Sequence, residues 1–263
     1  MAKWVLRVVV LGYLGVLLLL PIGLVLERTF AHGVGPVWDA LSAPSAVHAL
    51  RLTVVIALAT VVLNTVFGVG AALLVTRSRF AGRRLFNALL DLPLAVSPVV
   101  VGLALILVYG KQSPIGHWLA NRGIDVIFAT PGMVLATVFV SLPLVVREVA
   151  PVLEEIGVEQ EQAAWTLGAT GAQTFWRVTL PAVRWAVAYG VVLTFARALG
   201  EYGAVAVVSG RIVDHTQTAT LYVEQQFQGF EQASAYAMSA VLAALSVISL
   251  LIANLLRPED ERR

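Results

Sequence analysis

The sequence predicts an all-α, polytopic membrane protein with six transmembrane helices. Three observations carry that expectation. The 263 residues are 59% hydrophobic and 13% charged, about half the charge of an ordinary soluble domain. The mean hydropathy is +0.84. Apolar runs recur at about 20 residues, the length a helix needs to cross a hydrocarbon core of roughly 30 Å. Lipid offers the backbone no hydrogen-bond partners, so helices or closed barrels are the available solutions, and runs of this length select helices.

The expected spans are Val5–Leu26, Leu52–Val75, Leu92–Tyr109, Pro131–Val146, Trp185–Val208 and Tyr236–Leu256. Lys3 and Arg7 precede the first run and Ala31 follows it, as in a cleaved leader. Its charge-free stretch exceeds the 7–15 residues of a leader core, so a retained span is expected. Gly33, Gly35, Pro36 and Pro44 mark a loop with a short helix near Val37–Leu41. The second span carries Asn64, Gly68 and Gly70, small or hydrogen-bonding residues suited to close helix contact. Pro93 and Pro98 predict a bend at the third span, since proline removes helix hydrogen bonds. Ala233, Ala237, Ala240 and Ala244 give the sixth span a small-residue face. Three units result: residues 1–47 with the first span and its loop, 48–257 as the core, and 258–263 as a tail.

Orientation follows from the basic residues. With a cytoplasmic N-terminus, twelve of the 18 Lys and Arg fall on the cytoplasmic side and five outside, Arg197 lying within the fifth span. Both termini and residues 147–184 are then cytoplasmic. Arg77, Arg79, Arg83 and Arg84 read as a topology signal that contacts anionic lipid, with no nucleic-acid partner implied.

Chemistry is sparse. Lys3 and Lys111 are the only lysines, and neither stands in a nucleotide-binding P-loop. The absence of cysteine and the scattered His32, His48, His117 and His215 give no metal-ligand spacing. No nucleophile elbow or carboxylate pair is present, so no catalytic residue, metal or cofactor is expected.

The long polar loop is the informative segment. A helix over Val158–Leu167 should begin with Glu159 and Glu161, where the helix dipole favours acids. Gly168 stands where a left-handed cap would end it. Thr170 and Gln173 have capping-box spacing for a second helix, with Pro181 opening the fifth span. Gln162, Ala163, Ala164, Trp165, Gly168, Phe175, Leu180 and Pro181 form the candidate docking set, with Trp165 and Phe175 as apolar anchors. This run, at about 152–181, resembles the "EAA…G…LP" loop of type I ABC-importer permeases. The resemblance implies docking on a separate ATPase, which binds the ATP. Gln162 replaces the acidic residue that opens the family motif, and Glu161 precedes it.

Arg197 and Glu201 are the charges within the fifth span. Four residues apart, they share one helix face. Intramembrane charges face a bundle interior or a water-filled path, so the pair is either a translocation gate or a packing ion pair. Gly200 and Gly203 should loosen the helix around Glu201. Residues Ala198–Gly210 and Gln217–Glu224 resemble the oxyanion branch of these permeases, in particular W-type permeases of sulfate/thiosulfate importers. The resemblance implies a T-type homologous permease as heterodimer partner, two ATPase subunits and an extracytoplasmic sulfate-binding protein in a bacterial cytoplasmic (inner) membrane. A homodimeric molybdate or tungstate permease is the alternative within the family. An ion-coupled secondary transporter with Arg197–Glu201 as relay is the alternative outside it.

Overall fold

The computed structural model describes residues 2–31 and 33–256, except for the side chains of Ala2, Lys3, Leu18 and Leu256. His32, Arg257 and the expected tail at 258–263 lie outside the described residues. Among these residues the chain is helical with no strand. Among the described residues five helices are long and apolar enough to span a membrane, or six if one bent pair counts as a single broken span.

The first span joins α1 (Ala2–Leu14) and α2 (Leu20–Phe30) through a π turn at Gly15–Leu19. Its side chains are exposed along most of its length. It meets the bundle at one end, where the Thr29 hydroxyl donates to the Tyr236 carbonyl at 3.1 Å. Helix α3 (Val34–Ser42) follows the left-handed Gly33 and supplies the expected short helix.

Helix α4 (Pro44–Arg77) has 34 residues, about 51 Å at 1.5 Å per residue. It begins eight residues before the expected Leu52. His48 and Arg51 make that first part look polar, yet Ala46 and Ala49 are buried against Ala219, Tyr222 and Met238. Asn64 donates to the Val138 carbonyl and the Ser141 hydroxyl, so it pins α4 to a neighbouring helix.

The expected third span is broken. Helices α5 (Arg83–Ala95) and α6 (Pro98–Tyr109) meet at 113° across Val96 and Ser97. With 12 residues, α6 is about 18 Å long and too short to cross alone. Helix α7 (Pro114–Ala120) is capped by the Ser113 hydroxyl, which accepts from Gly116 N. Helix α8 (Thr130–Ile156) runs ten residues beyond the expected Val146. Pro143 and Pro151 lie inside it, and burial of Val149 and Leu153 holds its extension in the core. The polar loop therefore begins only at Gly157.

Helix α9 (Glu159–Thr166) and α10 (Gly171–Thr174) form the polar hairpin. Helix α10 does not end as a separate element. It continues through a π turn at Phe175–Thr179 into α11 (Leu180–Leu199), making one rod over Gly171–Leu199. The wide turn closes with Leu180 N donating to Phe175 O, immediately before Pro181, whose nitrogen has no proton to donate. The expected fifth span is also cut short. Helix α11 stops at Leu199, Gly200–Tyr202 are not helical, and α12 (Gly203–Val208) restarts beyond. Helix α13 (Ala219–Gln228) and α14 (Gln232–Leu256) complete the chain.

Glycines set the closest helix contacts. A Cβ at Gly68 would stand 2.7 Å from Val145 Cβ, and one at Gly190 would stand 3.1 Å from Val145 Cα. Helices α4 and α11 thus close on α8 at the same residue. Gly102 lies equally tight on Val207, which locks the short α6 to the short α12. Gly68→Val should overpack the first junction by roughly 1–3 kcal/mol. The purified membrane complex should melt at a lower temperature, while Gly70→Val, with nothing within 4 Å of its Cβ, should leave melting unchanged.

Candidate functional site

The hairpin is shaped by local backbone chemistry. Gly157 (φ 73°) turns the chain out of α8, and Gly168 (φ 84°) turns it out of α9. Both conformations favour glycine. The capping box is complete: Gln173 N donates to Thr170 Oγ1 at 3.3 Å, and Thr170 N donates to Gln173 Oε1 at 2.9 Å.

A buried ion pair fixes the hairpin to the bundle. Arg77 Nε donates to Glu161 Oε2 at 3.0 Å, with side chains 17% and 10% exposed. The same guanidinium donates to the carbonyls of Leu153 at 2.9 Å and Gly157 at 2.6 Å. These are C-terminal carbonyls of α8 and its cap, which attract a cation. Thr179 Oγ1 donates to Glu161 Oε1 at 2.9 Å. One arginine and one glutamate therefore join α4, α8, α9 and the π turn. Arg77 is more than the lipid-contacting topology signal expected from sequence, and Glu161 stands in the first turn of α9 as expected and is also a buried ligand.

The candidate docking residues divide between surface and interior. Gln162, Ala163, Trp165, Gly168 and Pro181 are exposed, whereas Ala164 and Leu180 are half-buried. Phe175 is also half-buried and packs on the core around Val69, Val149 and Val183. Its neighbour Trp176, stacked edge-on at 5.2 Å, is exposed, as is Leu167. Trp165 and Phe175 line a cleft of about 580 Å³ between the end of α4 and the hairpin, together with Leu73, Leu74 and Val158.

The second constellation lies at the other end of α11. Arg197 Nη1 and Glu201 Oε2 are 2.7 Å apart, with side chains 41% and 3% exposed. The ion pair forms, but across the helix break rather than along a continuous face. Glu201 has further duties. Its Oε1 accepts from Ala204 N at 3.1 Å, which caps α12, and its carbonyl accepts from the Thr220 hydroxyl at 2.9 Å.

Residues 64–259 match the family described as binding-protein-dependent transport system inner membrane component. The chain belongs to this family. It is thus a multi-pass membrane component of a transport system. It is 51% identical over 254 residues to the sulfate transport system permease protein CysW of Synechocystis sp., covering 97% of this chain and 92% of that protein. It is 37% identical over 259 residues to the sulfate transport system permease protein CysT of the same organism, covering 98% and 90%. The crystal structure of a bacterial ABC transporter involved in alginate import matches with a TM-score of 0.79 at 16% identity, covering 97% of this chain and 95% of that one. That likeness concerns the fold.

Within this membrane component, sequence reasoning missed Arg77 and Thr179 as hairpin ligands. The lone acid beside Gln162 was the available signal for Glu161. Arg77→Met should strand Glu161 in the interior, at a cost of about 3–5 kcal/mol. Limited proteolysis near Gly157–Gly168 should then accelerate. Adding Glu161→Met should recover part of the protection, since no buried charge is then unpaired while the Leu153 and Gly157 carbonyls still lack their donor.

Proposed function

We propose that this chain is the W-type permease of an ATP-driven importer of sulfate and thiosulfate. The observation that carries the reading is 51% identity to a CysW protein across 97% of the chain. Similarity to a CysT protein supports pairing with a homologous T-type permease. Two ATPase subunits and an extracytoplasmic sulfate-binding protein complete the proposed assembly. The hairpin end and both termini face the cytoplasm. There the exposed rim of Gln162, Ala163, Trp165, Leu167 and Trp176 docks on an ATPase. ATP closes the ATPases and moves the hairpin, and the rod Gly171–Leu199 carries that movement into the membrane.

Expression with a T-type permease, ATPase and binding protein should restore sulfate uptake to cells lacking their own importer. Excess thiosulfate should suppress that uptake, and the T-type permease should copurify. Uptake without any second permease, with molybdate as the stronger competitor, would instead assign a homodimeric molybdate or tungstate importer.

Arg197 is proposed as a pathway residue. Its side chain is 41% exposed whereas Glu201 is enclosed, and exposed intramembrane charge faces a water-filled path or a partner helix. A charge swap would destroy the α12 cap, so neutralisation is the cleaner test. Glu201→Gln keeps an acceptor for Ala204 N. Combined with Arg197→Met it should preserve assembly while sulfate uptake per complex falls about ten-fold, the loss expected for one charged contact. Wild-type uptake in this double variant would leave Arg197 a packing residue.

A further inference from the structure

A second arginine–glutamate pair sits beside the first, farther from the hairpin. Arg211 Nη1 lies 3.1 Å from Glu224 Oε2, with side chains 49% and 22% exposed. The two pairs share α13. Thr220 holds the Glu201 carbonyl, and Glu224 lies four residues along the same helix, about 6 Å farther at 1.5 Å per residue. Tyr202, next to Glu201 in the chain, lies on the same cleft as Glu224. Thr220 also lines this open cleft of about 480 Å³, with Val223, Phe227 and Leu242.

Both guanidiniums are partly exposed, and neither exposure is compatible with hydrocarbon. Each guanidinium therefore meets water or another subunit rather than lipid. Both carboxylates can also release their arginine without being left bare. Glu224 keeps Gln228 Nε2 at 3.2 Å. Glu201 keeps Ala204 N. An ion pair built only for packing has no use for such reserve donors. A site that exchanges its counter-ion for an arriving anion needs them, because a bare buried carboxylate is costly.

We propose that Arg211 is an outer station for a tetrahedral oxyanion, which displaces Glu224 and passes inward to Arg197. The assignment rests on the importer reading above and adds the route of entry. Arg211 is set for this role by the turn that carries it. Gly210 (φ 71°) and Arg211 (φ 56°) are both left-handed, and Arg211 N is held by the Ser209 hydroxyl at 3.2 Å. The guanidinium is thereby fixed at the end of α12, where its Nε approaches the Ala206 carbonyl at 3.5 Å.

The chain has no native cysteine, so Arg211→Cys can be modified cleanly in the assembled transporter, whose other subunits are made cysteine-free or shielded. Binding-protein-dependent sulfate uptake into proteoliposomes is measured before and after modification. Arg211→Cys should lower uptake about ten-fold. A trimethylammonium-ethyl methanethiosulfonate should restore a large part of it, and a sulfonatoethyl methanethiosulfonate should not. Because the reagent acts on complexes already assembled, folding does not enter the comparison. Saturating sulfate should also slow modification by the anionic reagent. Equal effects of the two reagents, or no effect of either, would overturn the station. The paired variant Arg211→Met with Glu224→Met gives an independent arm: uptake within two-fold of wild type would also overturn it. If wild-type complexes import molybdate but not sulfate, the substrate reading fails. The same reagent ratio measured with molybdate then still decides the role of Arg211.

Discussion

The Arg77 guanidinium is the contact on which the hairpin depends. It closes the carbonyl end of α8, neutralises Glu161 and thereby fixes α9 against the end of α4. Removing it would expose two orphan carbonyls and a buried carboxylate together. Glu161 in turn binds Thr179 in the π turn that leads into α11. The hairpin is therefore attached at its base on both sides, leaving Gln162, Ala163, Trp165 and Leu167 at its exposed edge. A docking element needs that combination, since a loosely hung hairpin would absorb a push instead of transmitting it.

The same requirement for backbone satisfaction governs the breaks inside the membrane part. An interrupted helix leaves free N–H and C=O groups, tolerable at depth only where protein groups meet them. At Gly200–Tyr202, Glu201 supplies an acceptor for Ala204 N, and Thr220 supplies a donor for the Glu201 carbonyl. At Val96–Ser97 the new helix begins with Pro98, which needs no N–H partner. The two short helices that result, α6 and α12, are packed together through Gly102 and Gly203. Breaking one span is stable because the other is broken beside it.

What the sequence disclosed was chiefly local. Gly168 and the Thr170–Gln173 box announced the turn and the second helix, because their chemistry acts over three or four residues. The bend near Pro98 and the loosening near Gly200 were legible for the same reason. Their consequences were not. A bend of 113° depends on how α6 meets α12, and neither helix records its neighbour in its own periodicity. Helix ends were misplaced where tertiary burial overrode polarity, as at Ala46–Arg51 and at Arg147–Ile156. Arg77 and Glu161 are 84 residues apart, and a pair with that separation leaves no pattern in a single sequence. Phe175 was expected at the surface because aromatic residues often anchor interfaces. A π turn rotates it onto the core and leaves Trp176 outward instead.

Continuity of one helix connects the two constellations. The hairpin's second arm and the Arg197 turn are opposite ends of the rod Gly171–Leu199. At 1.5 Å per residue its 29 residues span about 44 Å. A rod of this kind transmits displacement only if it cannot slide freely, and its grip on α8 is the close approach of Gly190 to Val145. That contact lies about two-thirds of the way along the rod, nearer the Arg197 end, and a steric pivot there gives the two ends opposite motions. In the proposed assembly, hairpin movement on the ATPase side would be converted into a counter-movement of the Arg197 end. Glu201 belongs to the break beyond the rod and is held by α12 and α13 instead. Such a movement therefore pulls Arg197 against a stationary carboxylate. The 2.7 Å ion pair, with the Glu201 N–H bond to the Ala198 carbonyl, crosses from the rod to the segment beyond the break, so in the proposed assembly its opening is the event that links the hairpin to the anion path.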